Sequence, residues 1–344
     1  MARRPILNLR NVFALLGLVG LGIVVLVNRD QFRSFWHLLA SLRWYVLAAV
    51  VVVQLGSYWV NALYYRSILN IFSYDVGVVR LFEGALATNF VNYIVPSVGL
   101  AGAGFLSQVL APEVPRGESV LTQLMRYALS ALSVLVMMPV GFLLIVLSGD
   151  VGRTIVKVTL SSAAAITVFA FCLLALVQHE SVLRGATNWL ISVVKRCYRT
   201  FTGEAAVRHF IDEFYVGYHL MMSKKVRMLV PFGWSMIYII IEVFTFYMAF
   251  LAFGRVEDLG IVIMAYLFAN IASTFGGVFF STGTFELGMA GTLVALGTPL
   301  TLAFSVTVVY RVLNLVIGLP PGFYFYRKYL APVAPTNGPQ KASG

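Results

Sequence analysis

Three stretches of this chain, Trp44 to Tyr65, Tyr127 to Gly149 and Val158 to Gln178, contain no charged residue. A run of that length, wound as an α-helix at about 1.5 Å per residue, crosses a hydrocarbon core of about 30 Å. Each run is apolar on all faces and does not alternate, which selects helices over a transmembrane barrel. Composition agrees: 60% of residues are hydrophobic and 11% charged, with a mean hydropathy of +0.86. That is too little charge to coat a soluble domain of 344 residues. The sequence therefore predicts an all-α, polytopic integral membrane helical bundle.

Other classes fall away in turn. Cys172 lies in an apolar run and Cys197 in a basic one, so neither a disulfide framework nor a metal site is indicated. His37, His179, His209 and His219 are scattered, and His209 with Asp212 and Glu213 reads as a solvated helix face rather than a metal site. The net charge of +11 does not point to nucleic acid, because the basic residues flank apolar spans, where lipid headgroups explain them. Arg3, Arg4 and Arg10 ahead of an apolar run resemble a secretory signal, but the run ends in Val27-Asn28-Arg29-Asp30 without a small-residue cleavage site. It reads as a retained first span. No Ser-His-Asp set, nucleotide loop or metal-spaced cluster is present, so no enzyme activity and no cofactor is expected.

Full spans are predicted at about 11–28, 44–66, 118–148, 153–178, 226–253 and 299–326. Two apolar stretches, 80–111 and 259–297, differ: they are glycine-rich and interrupted by Pro96-Ser97 and by Ser281-Thr282-Gly283-Thr284. Such backbone survives at membrane depth only where it is buried or lines a wet cavity. The basic segment 180–227 and the Arg327-Lys328 end belong in the cytoplasm by the positive-inside rule, as does the amino terminus, whereas Glu257-Asp258 suits the outside. Counting spans from both ends makes 80–111 start and finish inside and 259–297 start and finish outside. Each is then a re-entrant hairpin or a pair of short spans, entering from opposite faces. This topology leaves Arg29, Arg33 and Arg43 outside, against the rule. The two stretches also match each other: Asn89 and Asn92, Pro96 and Gly99, then a span carrying Arg126; Asn270, Gly276-Gly277 and Gly283, then a span carrying Tyr310-Arg311. A repeat in opposite orientations, with a site at its interface, is the pattern of secondary transporters.

An ionisable group at the bilayer centre costs at least about 2.5 kcal/mol, so each needs a reason. Arg126, Glu242, Glu286 and Arg311 lie within spans or hairpins, with Glu83 and Lys157 nearer the edges. One reading is that acid and base pair to hold helices together. The other is that Arg126 and Arg311 make a basic cavity for an anionic headgroup, since guanidinium grips phosphate oxygens bidentately and stays charged. Glu286 would then orient Arg311 or meet a cationic part of the cargo. Helix ends at the glycine-rich breaks would add backbone N–H donors, and Ser281, Thr282 and Thr284 hydroxyls, although glycine there also serves close packing. Segment 182–222 alternates apolar and basic residues at helical spacing, as expected of a helix lying on the inner leaflet, and 331–344 reads as a disordered tail.

The first block, Asn89-Phe-Val-Asn-Tyr-Ile-Val-Pro-Ser-Val-Gly99, and the second, Gly276-Gly277, then Thr284-Phe-Glu286, the Gly297-Thr-Pro turn and Tyr310-Arg311, resemble the lysylphosphatidylglycerol synthase transmembrane-domain (flippase-like) family over about residues 10–330. The resemblance implies movement of an anionic or modified lipid, aminoacylated or sugar-linked, between leaflets of the plasma membrane. Substrate contacts would come from Asn89, Asn92, Pro96, Gly99, Arg126, Glu242, Asn270, Gly276, Gly277, Thr282, Glu286, Tyr310 and Arg311. The chain departs from the family twice. It stops at 344, so a soluble aminoacyl-transfer domain is expected to be absent. In the first hairpin Gly102-Ala-Gly104-Phe105 runs on to Gln108, where the family places Gly-Gly and an arginine. The expectation is one integral membrane domain over 1–330, with 180–225 as a cytoplasmic amphipathic linker and membrane lipids as partners. The alternatives are a non-transporting subunit that anchors a membrane-associated transferase, and a lipid-modifying enzyme using Glu286.

Overall fold

The structure, a computed structural model, describes residues 42–95, 100–148, 179–197, 225–276 and 283–330, with isolated positions between 212 and 223. The predicted spans at 11–28 and 153–178 and the tail at 331–344 lie outside the described residues. Nine helices are described: α1 (Trp44–Leu69), α2 (Val78–Ile94), α3 (Leu100–Leu110), α4 (Arg116–Ser148), α5 (Glu180–Cys197), α6 (Leu229–Ala252), α7 (Leu259–Gly276), α8 (Thr284–Ala295) and α9 (Leu300–Leu330). Among the described residues there is no strand. Four helices, built on α1, α4, α6 and α9, are long and apolar enough to cross a membrane by length and composition. Their outward residues are large and apolar, among them Leu55, Leu143, Ile240 and Val316. In water such surface would drive aggregation, whereas hydrocarbon solvates it.

The two glycine-rich stretches each fold into a helical hairpin, α2–α3 and α7–α8. α3 and α8, at 11 and 12 residues, reach only about 17 and 18 Å, short of the hydrocarbon thickness. Each arm runs antiparallel to its partner: Gly84 of α2 meets Val109 of α3, and Gly288 of α8 meets Ala269 and Ala272 of α7.

The helix pairings are unchanged when α1, α2, α3 and α4 are exchanged for α6, α7, α8 and α9. α2 packs on α9 as α7 packs on α4; α1 meets α2 as α6 meets α7; α3 meets α4 as α8 meets α9. α4 meets α6 as α9 meets α1, and α1 packs on its own counterpart, α6. That last pair is antiparallel: the Arg43 N–H donates to Ala252 O (2.9 Å), Gln54 reaches Glu242, and Arg66 and Arg227 line one groove at the opposite end. Two equivalent helices that pack antiparallel are related by an axis across their length, so the two four-helix units form an inverted repeat.

A sequence echo marks the same symmetry. Pro139-Val-Gly141-Phe142 in α4 matches Pro320-Pro-Gly322-Phe323 in α9, and Asn89 is as far from Asn270 as Gly141 is from Gly322. Both glycines seat the outer span against the opposite hairpin. A Cβ on Gly141 would come within 2.7 Å of the Ile263 side chain, and one on Gly322 within 2.7 Å of Leu86 O. Small residues at these crossings let backbones approach where lipid gives no hydrophobic drive to pack.

Candidate functional site

The interior of the bundle is polar where the two repeats meet. Glu242, in the middle of α6, is 4% exposed, yet among the described residues it has no cationic partner. Gln54 of α1 donates to one carboxylate oxygen (3.0 Å) and the Tyr310 hydroxyl of α9 to the other (2.9 Å). Hydrogen bonds to a carboxylate are stronger than neutral ones, which offsets part of the cost of burying it. Tyr58 of α1 and Tyr238 of α6 lie beside this carboxylate.

Around Tyr310 the rings of Phe246, Tyr266 and Phe285 pack at 5.2, 6.5 and 6.3 Å, the last of them stacked. Phe285 opens α8 beside Glu286, whose carboxylate accepts from Arg311 Nε at 2.7 Å. The break before α8 is made by Gly283, an N-terminal cap at φ +101, a region open to glycine and closed to bulky residues. An acidic side chain in a helix's first turn also meets the positive end of the dipole. Arg311 extends further, donating to the Tyr93 hydroxyl of α2 (3.3 Å) and lying over the Tyr93 and Phe285 rings at 4.9 and 5.4 Å. One guanidinium thus ties both hairpins to α9. The acid–base pairing expected as one reading of the sequence holds for Glu286 with Arg311.

Arg126 in α4 behaves differently. It is half-buried, its guanidinium lies over Tyr65 and Tyr127 at 5.3 and 4.9 Å, and its enclosed Nε has no hydrogen-bond partner among the described residues. Among the described residues it forms no ion pair. Tyr238 stands within electrostatic reach of both Arg126 and Glu242 and so joins this half to the centre. Of the eight other buried side-chain atoms without a partner among the described residues, Gln54 Oε1 and Glu286 Oε2 lie beside this interior. Native interiors usually satisfy such atoms with a protein group, an ordered water or a bound ligand.

The asparagines divide. Asn92 accepts from the Gly102 N–H (3.0 Å), bracing the first hairpin, and its amide points at the Tyr127 hydroxyl (3.5 Å). Asn89 donates to the Tyr58 hydroxyl (3.4 Å), while Asn270 donates to Tyr266 O in its own helix (2.8 Å). Gly276 ends α7. Pro96, Gly99, Gly277 and Thr282 lie outside the described residues. Sequence reasoning missed Gln54, Tyr58, Tyr93, Tyr238 and Tyr266. Their signal was a hydroxyl or amide within four apolar segments, but tyrosine is also common at span ends, so it does not stand out.

Glu83, near the start of α2, accepts from Lys328 (2.6 Å) and from Tyr329 (2.8 Å) at the end of α9. On α5, Arg184 bonds Glu180 (2.8 Å) and Asp212 (2.7 Å), and the Arg184 guanidinium holds the Glu180 carboxyl below the usual carboxylate range. Among the described residues no cluster of His, Cys, Asp and Glu is arranged for a metal.

Fold and site together define a polytopic α-helical membrane protein with a polar, charged interior at the interface of an inverted repeat. Residues 12–322 match the family described as lysylphosphatidylglycerol synthase TM region, and the chain belongs to that family. It is 26% identical over 200 residues to a UPF0104 membrane protein of Methanothermobacter thermautotrophicus, a stretch covering 57% of this chain and 59% of that relative. A second UPF0104 membrane protein of the same organism is 30% identical over 99 residues, 29% of this chain and 30% of the relative. No solved structure matches the chain.

Proposed function

We propose that this protein is a lipid transporter of the flippase type, moving an anionic or modified phospholipid between leaflets. The observation that carries this reading is Arg126, a half-buried guanidinium whose Nε is fully enclosed and unpartnered and which forms no ion pair among the described residues. A permanently charged group held this way in a membrane interior calls for an anion, and phosphate suits its planar donors. Arg311, already neutralised by Glu286, serves instead to hold the second hairpin against the first. Glu242 and its tyrosine neighbours give the cleft hydrogen-bonding walls. The short arms α3 and α8 support re-entrant hairpins, with acyl chains staying in lipid while the headgroup passes between the repeats. The proposed topology has both termini in the cytoplasm, with the plasma membrane as the proposed location. The proposed role is transport and not catalysis.

The test is leaflet exchange of labelled phosphatidylglycerol, its aminoacylated form and phosphatidylcholine in proteoliposomes. Wild type should exchange anionic or aminoacylated lipid faster than phosphatidylcholine. Arg126→Gln should remove that selectivity in protein that still elutes as a folded particle. Exchange equal to protein-free vesicles for every lipid, with and without an imposed ion gradient, overturns the reading.

A further inference from the structure

A second site lies away from the central cleft. Between the end of α1 and the start of α6 the structure holds a groove of about 420 Å³, walled by Leu63, Arg66 and Asn70 on one side and Arg227, Val230 and Trp234 on the other. α1 and α6, at 26 and 24 residues, are about 39 and 36 Å long, more than the hydrocarbon thickness. The ends that form this groove therefore sit at headgroup depth.

The chemistry of the walls is divided in the way an amphiphile is. Asp75 takes Nε and Nη2 of Arg66 (3.2 and 2.7 Å), which fixes the guanidinium and leaves Nη1 unused among the described residues. Arg227 is exposed and forms no ion pair among the described residues. No acidic residue stands in the first turn of α6, and its cap position, Met228, offers no side-chain bond. Even with Asp75 counted, the charge around the groove is net positive. Beside the arginines, Val226, Leu229 and Val230 present exposed apolar side chains, and Trp234 is half-buried at the same level, as indoles are at membrane interfaces.

The inverted repeat supplies a comparison. At the opposite end of the same helix pair, the Arg43 guanidinium lies against Gly254 and the Arg43 N–H caps Ala252. There the protein's own arginine packs against the turn, while at the Arg66–Arg227 end no side chain of the described residues fills the groove.

We infer that this groove binds the headgroup phosphate of one anionic phospholipid at the membrane interface, gripped by Arg66 and Arg227, with the acyl chains lying along Val230 and Trp234. The site is separate from the central cleft and does not depend on transport. Native mass spectrometry of the full chain in detergent, titrated with phosphatidylglycerol or phosphatidylcholine, tests it. Wild type should retain one phosphatidylglycerol more firmly than phosphatidylcholine. Arg227→Gln should weaken that adduct about tenfold, the size of one charge-assisted hydrogen bond. Arg66→Gln/Arg227→Gln should remove that adduct, while Arg255→Gln, at the opposite end of the helix pair, should leave it in place. Equal adducts in wild type and Arg227→Gln, with matching far-ultraviolet circular dichroism, overturn the proposal. So does displacement of the adduct by millimolar glycerol phosphate, which would mark a site for soluble anions.

Discussion

Arg311 Nε and Glu286 stand 2.7 Å apart, joining the middle of α9 to the first turn of α8, with their side chains 22% and 28% exposed. Removing Arg311 leaves a largely enclosed carboxylate without its cation, so Arg311→Ala should destabilise the protein more than the double variant Arg311→Ala/Glu286→Gln does. A coupling energy of about 0.5–3 kcal/mol is expected from the cycle, read as thermal unfolding in one detergent. Additive effects would show that the pair contributes nothing.

Gly322 gives a sharper structural test. Its missing side chain sits 2.7 Å from Leu86 O, whereas nothing lies within 4 Å of Gly233 in α6. Gly322→Ala should lower the melting temperature, by overpacking worth about 1–3 kcal/mol. Gly233→Ala should be neutral or stabilising, because alanine favours helix by about 0.5–1 kcal/mol.

Much of this architecture was legible in the chain. The positions of the four described spans follow from apolar, charge-poor runs, and the hairpins from glycine-rich breaks, because hydrocarbon permits so few backbone arrangements. α1 ends at Leu69 where 66 was expected, since the final turn is tied down by Tyr74 N–H on Leu69 O rather than by a change in hydropathy. The ion pair was legible only as two charges: Glu286 and Arg311 belong to different helices, and nothing local says which acid meets which base. The same holds for Arg126, whose sequence neighbourhood looks like that of Arg311 although it forms no ion pair among the described residues. The pairing of α1 with α6 depends on tertiary packing between segments far apart in the chain, which periodicity does not encode.

Asn92 braces the first hairpin through the Gly102 N–H. Asn92→Ala should expose that donor at a cost of about 1 kcal/mol, seen as faster hydrogen exchange confined to the first turn of α3. Uniform loss of protection across α2 and α3 would assign the asparagine a wider role.

The pH dependence of α5 follows from Glu180. The Arg184 hydrogen bond lowers its folded-state pKa, so the contribution is present above the ordinary carboxylate range and is lost as pH falls through the lowered value. Exchange protection of α5, corrected for intrinsic rates, should step down there in wild type, and Glu180→Gln should show no such step.

The crossings of α2 with α9 and of α7 with α4 have unequal histories during synthesis. When α7 leaves the ribosome, α4 is already made and Gly141 is ready to receive Ile263. α2 waits for most of the chain before Gly322 arrives to cover Leu86 and Lys328 to neutralise Glu83. The first hairpin is thus the half left uncovered on its α9 side until translation nears its end, held until then by α1, by α4 and by its internal brace from Asn92 to Gly102.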